Sequence, residues 1–117
     1  MAIKLVVSDI DGTLIDGTEA IAPELIEAAQ KCKEHGVVFS FATGRTKELA
    51  ARLVKTVGIT SPYVISNGAC IFQEEKCIVS HNFSVEPILS IIRRADAEGL
   101  TVTLSDERTE PTLPHNY

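Results

Sequence analysis

Two aspartates directly follow the first apolar run of the chain. Asp9 and Asp11 come after Leu5-Val6-Val7 and are separated by one residue. On a segment that is still extended, side chains two positions apart point to the same side. Two carboxylates this close repel, so one binds a proton or a cation lies between them, and clustered oxygen ligands suit Mg²⁺. The alternative is that the pair only forms a turn, which Gly12 permits.

Two further polar clusters follow later apolar runs. Thr43-Gly44-Arg45 comes after the run at residues 37–42, and Ser66-Asn67-Gly68 comes after the run at residues 63–65. Helical spacing fills the intervals, with one helix from Pro23 to a stop at Gly36 and a second from about Thr46 to Gly58.

The β-α-β-α-β order predicts an α/β fold, a Rossmann-like three-layer architecture with a parallel sheet and right-handed crossovers. Such sheets bind ligands beyond the carboxyl ends of their strands. We therefore expect the three polar clusters to meet at one edge of the sheet. Beyond Gly68, the pattern predicts a hairpin around residues 73–76, a helix from near Ser84 and a strand at Leu100–Leu104, followed by an irregular tail.

Composition restricts the possible partners. The 117 residues are 44% apolar with a net charge of −5, which argues for a folded domain and against nucleic acid as the main partner. The N-terminal apolar run is too short for a signal peptide, and no stretch is long enough to span a membrane. The three cysteines lack metal-ligand spacing, so buried free thiols in a reducing cytoplasm are the expectation.

The three polar clusters together resemble signatures of a known family. Asp9-Ile10-Asp11-Gly12-Thr13-Leu14 resembles the first signature of the haloacid dehalogenase superfamily. Ala42-Thr43-Gly44-Arg45 resembles the second signature in its Cof-like form, and Ser66-Asn67-Gly68-Ala69 resembles a further feature of that subgroup. The resemblance implies a Mg²⁺-dependent phosphomonoester hydrolase that acts through an aspartyl-phosphate intermediate.

The resemblance also assigns roles. Asp9 is the implied nucleophile, and Asp11 is the implied general acid and then base. The Asp9 carboxylate and the Asp11 backbone carbonyl are the implied Mg²⁺ ligands, with a further acidic group. Thr43 and the Gly44 N–H are expected to bind phosphate, and Asn67 to orient the substrate or the phosphate. For Arg45, contact with phosphate or substrate and pairing with an acid remain open.

The sequence departs from the family in two respects. The family's phosphate-clamping lysine has no counterpart, since Lys47 and Lys55 lie on the helix after the second signature, and no later acidic motif follows. In the Cof-like subgroup, both come after an inserted α+β cap. We therefore interpret residues 1–80 as the N-terminal half of the core and residues 81–117 as a partial cap with an irregular tail. Strand one then has a free edge, which predicts self-association.

Three functional hypotheses follow. The first is hydrolysis of a small phosphorylated metabolite, a sugar phosphate or a nucleotide, from which a phosphomutase is not separable. The second is a catalytically inactive, truncated fragment that self-associates into a homo-oligomer. The third, a phospho-acceptor signalling domain, is less favoured because that class needs an aspartate where the third run ends in Ser66-Asn67.

Overall fold

The apolar runs of the sequence form the strands of an α/β unit. In the computed structural model, which describes residues 2–18 and 20–104, the chain divides into two units, Met1–Ser80 and His81–Tyr117. The first unit contains, in chain order, β1 (Leu5–Ser8), α1 (Pro23–Glu34), β2 (Val38–Phe41), α2 (Lys47–Val57), β3 (Tyr63–Ile65), β4 (Cys70–Gln73) and β5 (Lys76–Ser80).

The first two strands are parallel, as the sequence predicts. β1 pairs with β2 in a register that places Ser8 opposite Phe41. A parallel bridge between Ala42 and Val64 brings the end of β2 beside β3, where the Thr43 N–H donates to the Val64 carbonyl at 3.0 Å. The carboxyl ends of all three strands therefore lie side by side, which confirms the predicted α/β arrangement.

The third strand also begins an antiparallel meander. β3 pairs with β4, and β4 pairs with β5 across a tight turn at Glu74 and Glu75. The predicted hairpin is thus confirmed. The meander continues the sheet from β3 without a crossover helix, because a tight turn suffices to join antiparallel strands.

Both helices of the first unit bury one apolar face. Pro23 occupies the first turn of α1, and Gly58 ends α2 in the left-handed conformation, with a φ of 77°. The buried residues of α2 lie at i, i+3, i+4 and i+7, as expected for an amphipathic helix; they are Ala50, Leu53, Val54 and Val57. Phe41, Ile10 and Ile65 are fully buried and belong to the same hydrophobic core.

The second unit agrees less closely with the elements predicted from the sequence. A 3₁₀ turn at Glu86–Ile88 precedes α3 (Leu89–Ala97), and the Ser84 hydroxyl accepts the Glu86 N–H at 3.2 Å. The strand expected at Leu100–Leu104 is wrong, because these residues have no regular structure and pair with no strand in the described part of the chain. The β-rich composition of this run does not form a strand without a partner to complete the ladder. The predicted irregular tail lies outside the described residues.

The outer side of β1 is open. Among residues 2–18 and 20–104, β1 pairs only with β2. Ile3, Leu5 and Val7 are 70%, 55% and 50% exposed, and the adjacent Val38 is 45% exposed.

Among residues 2–18 and 20–104, no helix has the length and apolar character needed to cross a membrane.

Candidate functional site

The loop after β1 presents its two aspartates to solvent. Asp9 and Asp11 are exposed, whereas Ile10 between them is fully buried and anchors the loop in the core. The Ile10 carbonyl accepts hydrogen bonds at 2.9–3.2 Å from three following N–H groups, those of Thr13, Leu14 and Ile15. Gly12, with a φ of 76°, lets the chain turn immediately after the pair. The turn exists as predicted, and the carboxylates stay outside its hydrogen bonds.

Arg45 joins the loop after β2 to the loop after β1. Its Nε and Nη2 donate to the two carboxylate oxygens of Asp11 at 2.9 and 2.7 Å, and its Nη1 donates to the Leu49 carbonyl at 3.2 Å. The Arg45 side chain is 17% exposed and that of Asp11 is 59% exposed. Of the alternatives left open for Arg45, the structure shows pairing with an acid.

This pairing alters the acidity of Asp11. The Arg45 hydrogen bonds, and to a lesser extent its charge, hold the pKa of Asp11 below its ordinary value. An aspartate is already ionised at neutral pH, and the lowered pKa further opposes its protonation, so Asp11 in this conformation carries no proton to donate.

Thr43 is buried behind the Arg45 pair. The residue is 5% exposed, and its hydroxyl oxygen accepts the Arg45 N–H at 3.1 Å. Its backbone N–H donates to Val64, which fixes the loop against β3. Thr43 therefore holds the backbone of the second signature, and its own hydroxyl proton remains available to a ligand oxygen.

The loop after β3 is bonded to the loop after β2. The Ser66 N–H donates to the Arg45 carbonyl at 2.9 Å, and the Asn67 N–H donates to the Thr43 carbonyl at 3.2 Å. Ser66 and Asn67 have φ values of 50° and 54°, in the left-handed region that non-glycine residues rarely occupy. Two successive residues in this region store backbone strain, which typically occurs at functional sites.

Asn67 lies directly against Gly44. A Cβ atom on Gly44 would stand 2.8 Å from Asn67 Oδ1 and 3.4 Å from Asn67 Cγ. Gly44 is thus the small residue that lets the Asn67 side chain approach the start of α2. The structure connects five of the six predicted site residues through such contacts, namely Asp11, Thr43, Gly44, Arg45 and Asn67.

A Gly44→Ala substitution tests this contact. We expect the added methyl group to displace the Asn67 side chain and to reduce turnover about 10-fold, because misplacement of a positioning group by even 1 Å is costly. Phosphate release is the measurement. In an Asn67→Ala background, Gly44→Ala should have little further effect, since the group that it displaces is already gone. An equal loss of turnover from Gly44→Ala in the wild type and in Asn67→Ala would contradict the conclusion that Gly44 acts by making room for the Asn67 side chain.

The sixth predicted residue, Asp9, stands apart from this network. Its exposed carboxylate accepts no hydrogen bond from the described residues, and only the chain through Ile10 connects it to Asp11. A carboxylate of this kind is free to act as a nucleophile or as a metal ligand.

The donors present fit a weakly held Mg²⁺ ion. Within residues 2–18 and 20–104, no three His, Cys, Asp or Glu side chains are grouped to hold a metal. Mg²⁺ commonly uses only one or two protein oxygens together with waters and substrate phosphate. The free Asp9 carboxylate and the Asp11 backbone carbonyl satisfy that minimum, whereas the Asp11 carboxylate is occupied by Arg45.

Sequence reasoning missed one charged residue beside the site. Arg52 lines a small cavity together with Arg45 and Leu49. The signal was present in the helical spacing, because Leu49 and Arg52 lie three residues apart on one face of α2, which begins two residues after Arg45.

Comparisons with known proteins identify the family of the chain. A family model described as haloacid dehalogenase-like hydrolase matches residues 6–113. The chain is 28% identical over 68 residues to a glucosyl-3-phosphoglycerate/mannosyl-3-phosphoglycerate phosphatase of Persephonella marina, covering 58% of this chain and 25% of that protein. It is 33% identical over 76 residues to a phosphoglycolate phosphatase of Thermoplasma volcanium, covering 65% of this chain and 34% of that protein.

The fold of the chain is also similar to that of a solved structure. The structure of BT4131, described as a haloacid dehalogenase subclass IIB sugar phosphatase, superposes with a TM-score of 0.71 at 28% identity, covering 89% of this chain and 41% of that protein. The chain therefore spans between a quarter and about two fifths of the length of these three proteins.

Proposed function

The chain belongs to the family of haloacid dehalogenase-like hydrolases, and on that basis we propose that it supplies the nucleophile of a Mg²⁺-dependent phosphatase. The proposed substrate is a small phosphomonoester, and the proposed intermediate is an aspartyl phosphate on Asp9. The observation that carries the proposal is the convergence of three loops at one sheet edge. Arg45 links them, through its side chain to Asp11 and through its carbonyl to Ser66.

The proposed reaction has two halves. In the first, an Asp9 oxygen attacks phosphorus, the bond between phosphorus and the ester oxygen breaks, and Asp11 gives a proton to the departing alkoxide. In the second, water attacks the same phosphorus, Asp11 takes the proton of that water, and the bond to Asp9 breaks. Phosphoryl transfer depends mainly on positioning and charge neutralisation, so a few fixed groups suffice.

The remaining site residues position the phosphoryl group. We assign the Thr43 hydroxyl and the Gly44 N–H as donors to its oxygens, and the Asn67 amide as an orienting group against Gly44. The Asp9 carboxylate and the Asp11 backbone carbonyl would hold Mg²⁺, which when bound would neutralise part of the negative charge of the nucleophile and the phosphoryl group.

Arg45 affects the proton transfers proposed for Asp11. Because Arg45 lowers the pKa of Asp11, the carboxylate in the present conformation holds no proton to give in the first half. To donate a proton in the first half, Asp11 must be protonated and released from Arg45. We propose that the phosphate of the substrate provides this release, because it competes for the same guanidinium.

The names of the related proteins bear on the substrate. The related proteins are phosphatases of phosphorylated acids and sugars by their names, which favours a small phosphorylated metabolite, a sugar phosphate among the candidates, over a macromolecule. We place the chain in the Cof-like subgroup on its second and third signatures. The three cysteines are free thiols, which fits the proposed cytoplasmic setting.

The test is phosphate release from p-nitrophenyl phosphate with and without Mg²⁺. We expect turnover that requires the metal and that chelation abolishes. Turnover that persists unchanged in chelator would contradict the metal-dependent mechanism.

A second candidate is an inactive chain that self-associates, and the exposed apolar edge of β1 favours it. Val7 is 50% exposed on a strand whose outer backbone groups pair with no described residue. Such an edge is a template for another chain. By sedimentation velocity over a wide concentration range, we expect association that Val7→Lys reduces and that Ile91→Lys, at a 66% exposed position of α3, leaves unchanged. A monomer at all concentrations would contradict this candidate.

A further inference from the structure

A small cavity lies between the loop after Asp11 and α2. Its volume is about 150 Å³, roughly the volume of five water molecules in the liquid. Apolar side chains line part of it, including those of Ile15 and Leu53, and the described residues that line it include three charged ones, namely Arg45, Glu48 and Arg52. Because Arg45 also binds the Asp11 carboxylate, the cavity adjoins the proposed catalytic site.

Arg52 is the charged group in this cavity that has no bonding partner among the described residues. Arg45 is paired with Asp11 and Arg94 with Glu98, whereas no hydrogen bond or ion pair joins the Arg52 guanidinium to any residue in the ranges 2–18 and 20–104. Glu48 precedes Arg52 by one helical turn, but its carboxylate accepts from the Thr46 hydroxyl at 3.4 Å instead. The five donors of Arg52 are therefore available to a ligand.

We propose that this cavity binds a carboxylate carried by the substrate, with Arg52 as its principal donor. The inference rests on the proposed function, because the phosphate of the same molecule would lie at Asp9. A guanidinium presents two parallel N–H groups that match the two oxygens of a carboxylate. The volume admits a carboxylate with one or two carbons, and the cavity is open to solvent on one side, so the rest of the substrate can extend out of it. The proposed substrate class is thus a phosphorylated organic acid.

The charge of Glu48 should affect binding of a carboxylate in the direction opposite to the charge of Arg52. Its carboxylate lines the same cavity and repels an anionic ligand. Removal of its charge should strengthen binding of a carboxylate, whereas removal of the Arg52 charge should weaken it. If Arg52 and Glu48 served only the stability of α2, their substitutions would not change carboxylate binding in opposite directions.

The experiment compares two esters that differ by one group, 2-phosphoglycolate and ethyl phosphate. The ratio of their kcat/KM values is measured for the wild type, Arg52→Gln, Glu48→Gln and Lys55→Gln. Lys55 is an exposed cation on the same helix outside the cavity and serves as the matched control. Arg52 is exposed, so solvent weakens its pairing with a carboxylate, and we expect Arg52→Gln to lower the ratio by about 2- to 5-fold. Glu48→Gln should raise the ratio, and Lys55→Gln should leave it unchanged.

Isothermal titration calorimetry with the same two esters makes the result independent of turnover. If the wild type hydrolyses neither of these esters nor p-nitrophenyl phosphate, the proposed function fails, but the difference in affinity between the two esters still decides the carboxylate site. Tighter binding of 2-phosphoglycolate that Arg52→Gln abolishes supports the proposal. Equal affinity for the two esters, absence of binding of both, or an equal loss for both in Arg52→Gln overturns it.

Discussion

Replacement of Asp9 by Asn is expected to lower kcat for p-nitrophenyl phosphate by about 10³-fold or more, because the amide cannot form the aspartyl phosphate on which both halves of the reaction depend. The Asp9 carboxylate accepts no hydrogen bond from the described residues, so its removal leaves no buried group unpaired. The loss should therefore appear without a loss of stability. Phosphate release and thermal unfolding of the same preparation measure the two effects.

Asp96→Asn is the matched control for this substitution. Asp96 is an exposed aspartate on α3, outside the proposed site. The control should retain the wild-type rate. Substantial turnover by Asp9→Asn would remove Asp9 from the nucleophile role, and a similar loss in both variants would indicate a general effect of charge.

Phe41→Ala is expected to have the largest effect on stability. Phe41 is fully buried, and its ring makes an edge-to-face contact with Phe39 at a centroid distance of 5.6 Å. Truncation of a fully buried aromatic residue costs about 3–5 kcal/mol through lost burial and the cavity left behind. In a domain of this size, we expect the Tm to fall by more than about 10 °C.

Phe41 lies at the end of β2, beside the candidate site, so the loss of stability in Phe41→Ala should also affect the site. Phe41 pairs with Ser8 across the sheet, and these two residues end β2 and β1, so the loops that carry Asp9 and Thr43 both begin at this pair. Phe83→Ala removes the same ring from a 74% exposed position and should change stability by less than about 0.5 kcal/mol. Comparable losses in the two variants, measured by urea unfolding, would contradict the assignment of Phe41 to the core.

Much of this unit was predictable because its signals are local. A three-residue apolar run at Tyr63–Ile65 after Pro62 gave β3 with its observed bounds, and Pro23 and Gly58 marked a helix start and a helix end. The order of elements then required the three polar clusters to share one sheet edge. The contacts from Asp11 to Arg45 and from Asn67 to Thr43 satisfy that requirement.

The features that could not be predicted depend on tertiary contacts, which the spacing of residues along the sequence does not specify. The partner of Arg45 remained open because a guanidinium binds a carboxylate and a phosphate equally well, and only the fold brings Asp11 within 2.7 Å. The strand expected at Leu100–Leu104 failed because strand formation requires a neighbouring strand, which propensity does not report. The left-handed backbone of Ser66 and Asn67 is maintained by bonds to the preceding loop, and neither residue type alone predicts it.

Amide NMR with beryllofluoride and Mg²⁺ tests most directly whether the three loops form one phosphoryl site, because beryllofluoride binds carboxylates as a mimic of an acyl phosphate. The account predicts perturbations of the amides of Asp9 to Gly12, Thr43 to Arg45 and Asn67, all lost in Asp9→Asn. A spectrum that stays unchanged, or that changes instead at the far end of the sheet around Val37 and Pro62, would contradict it.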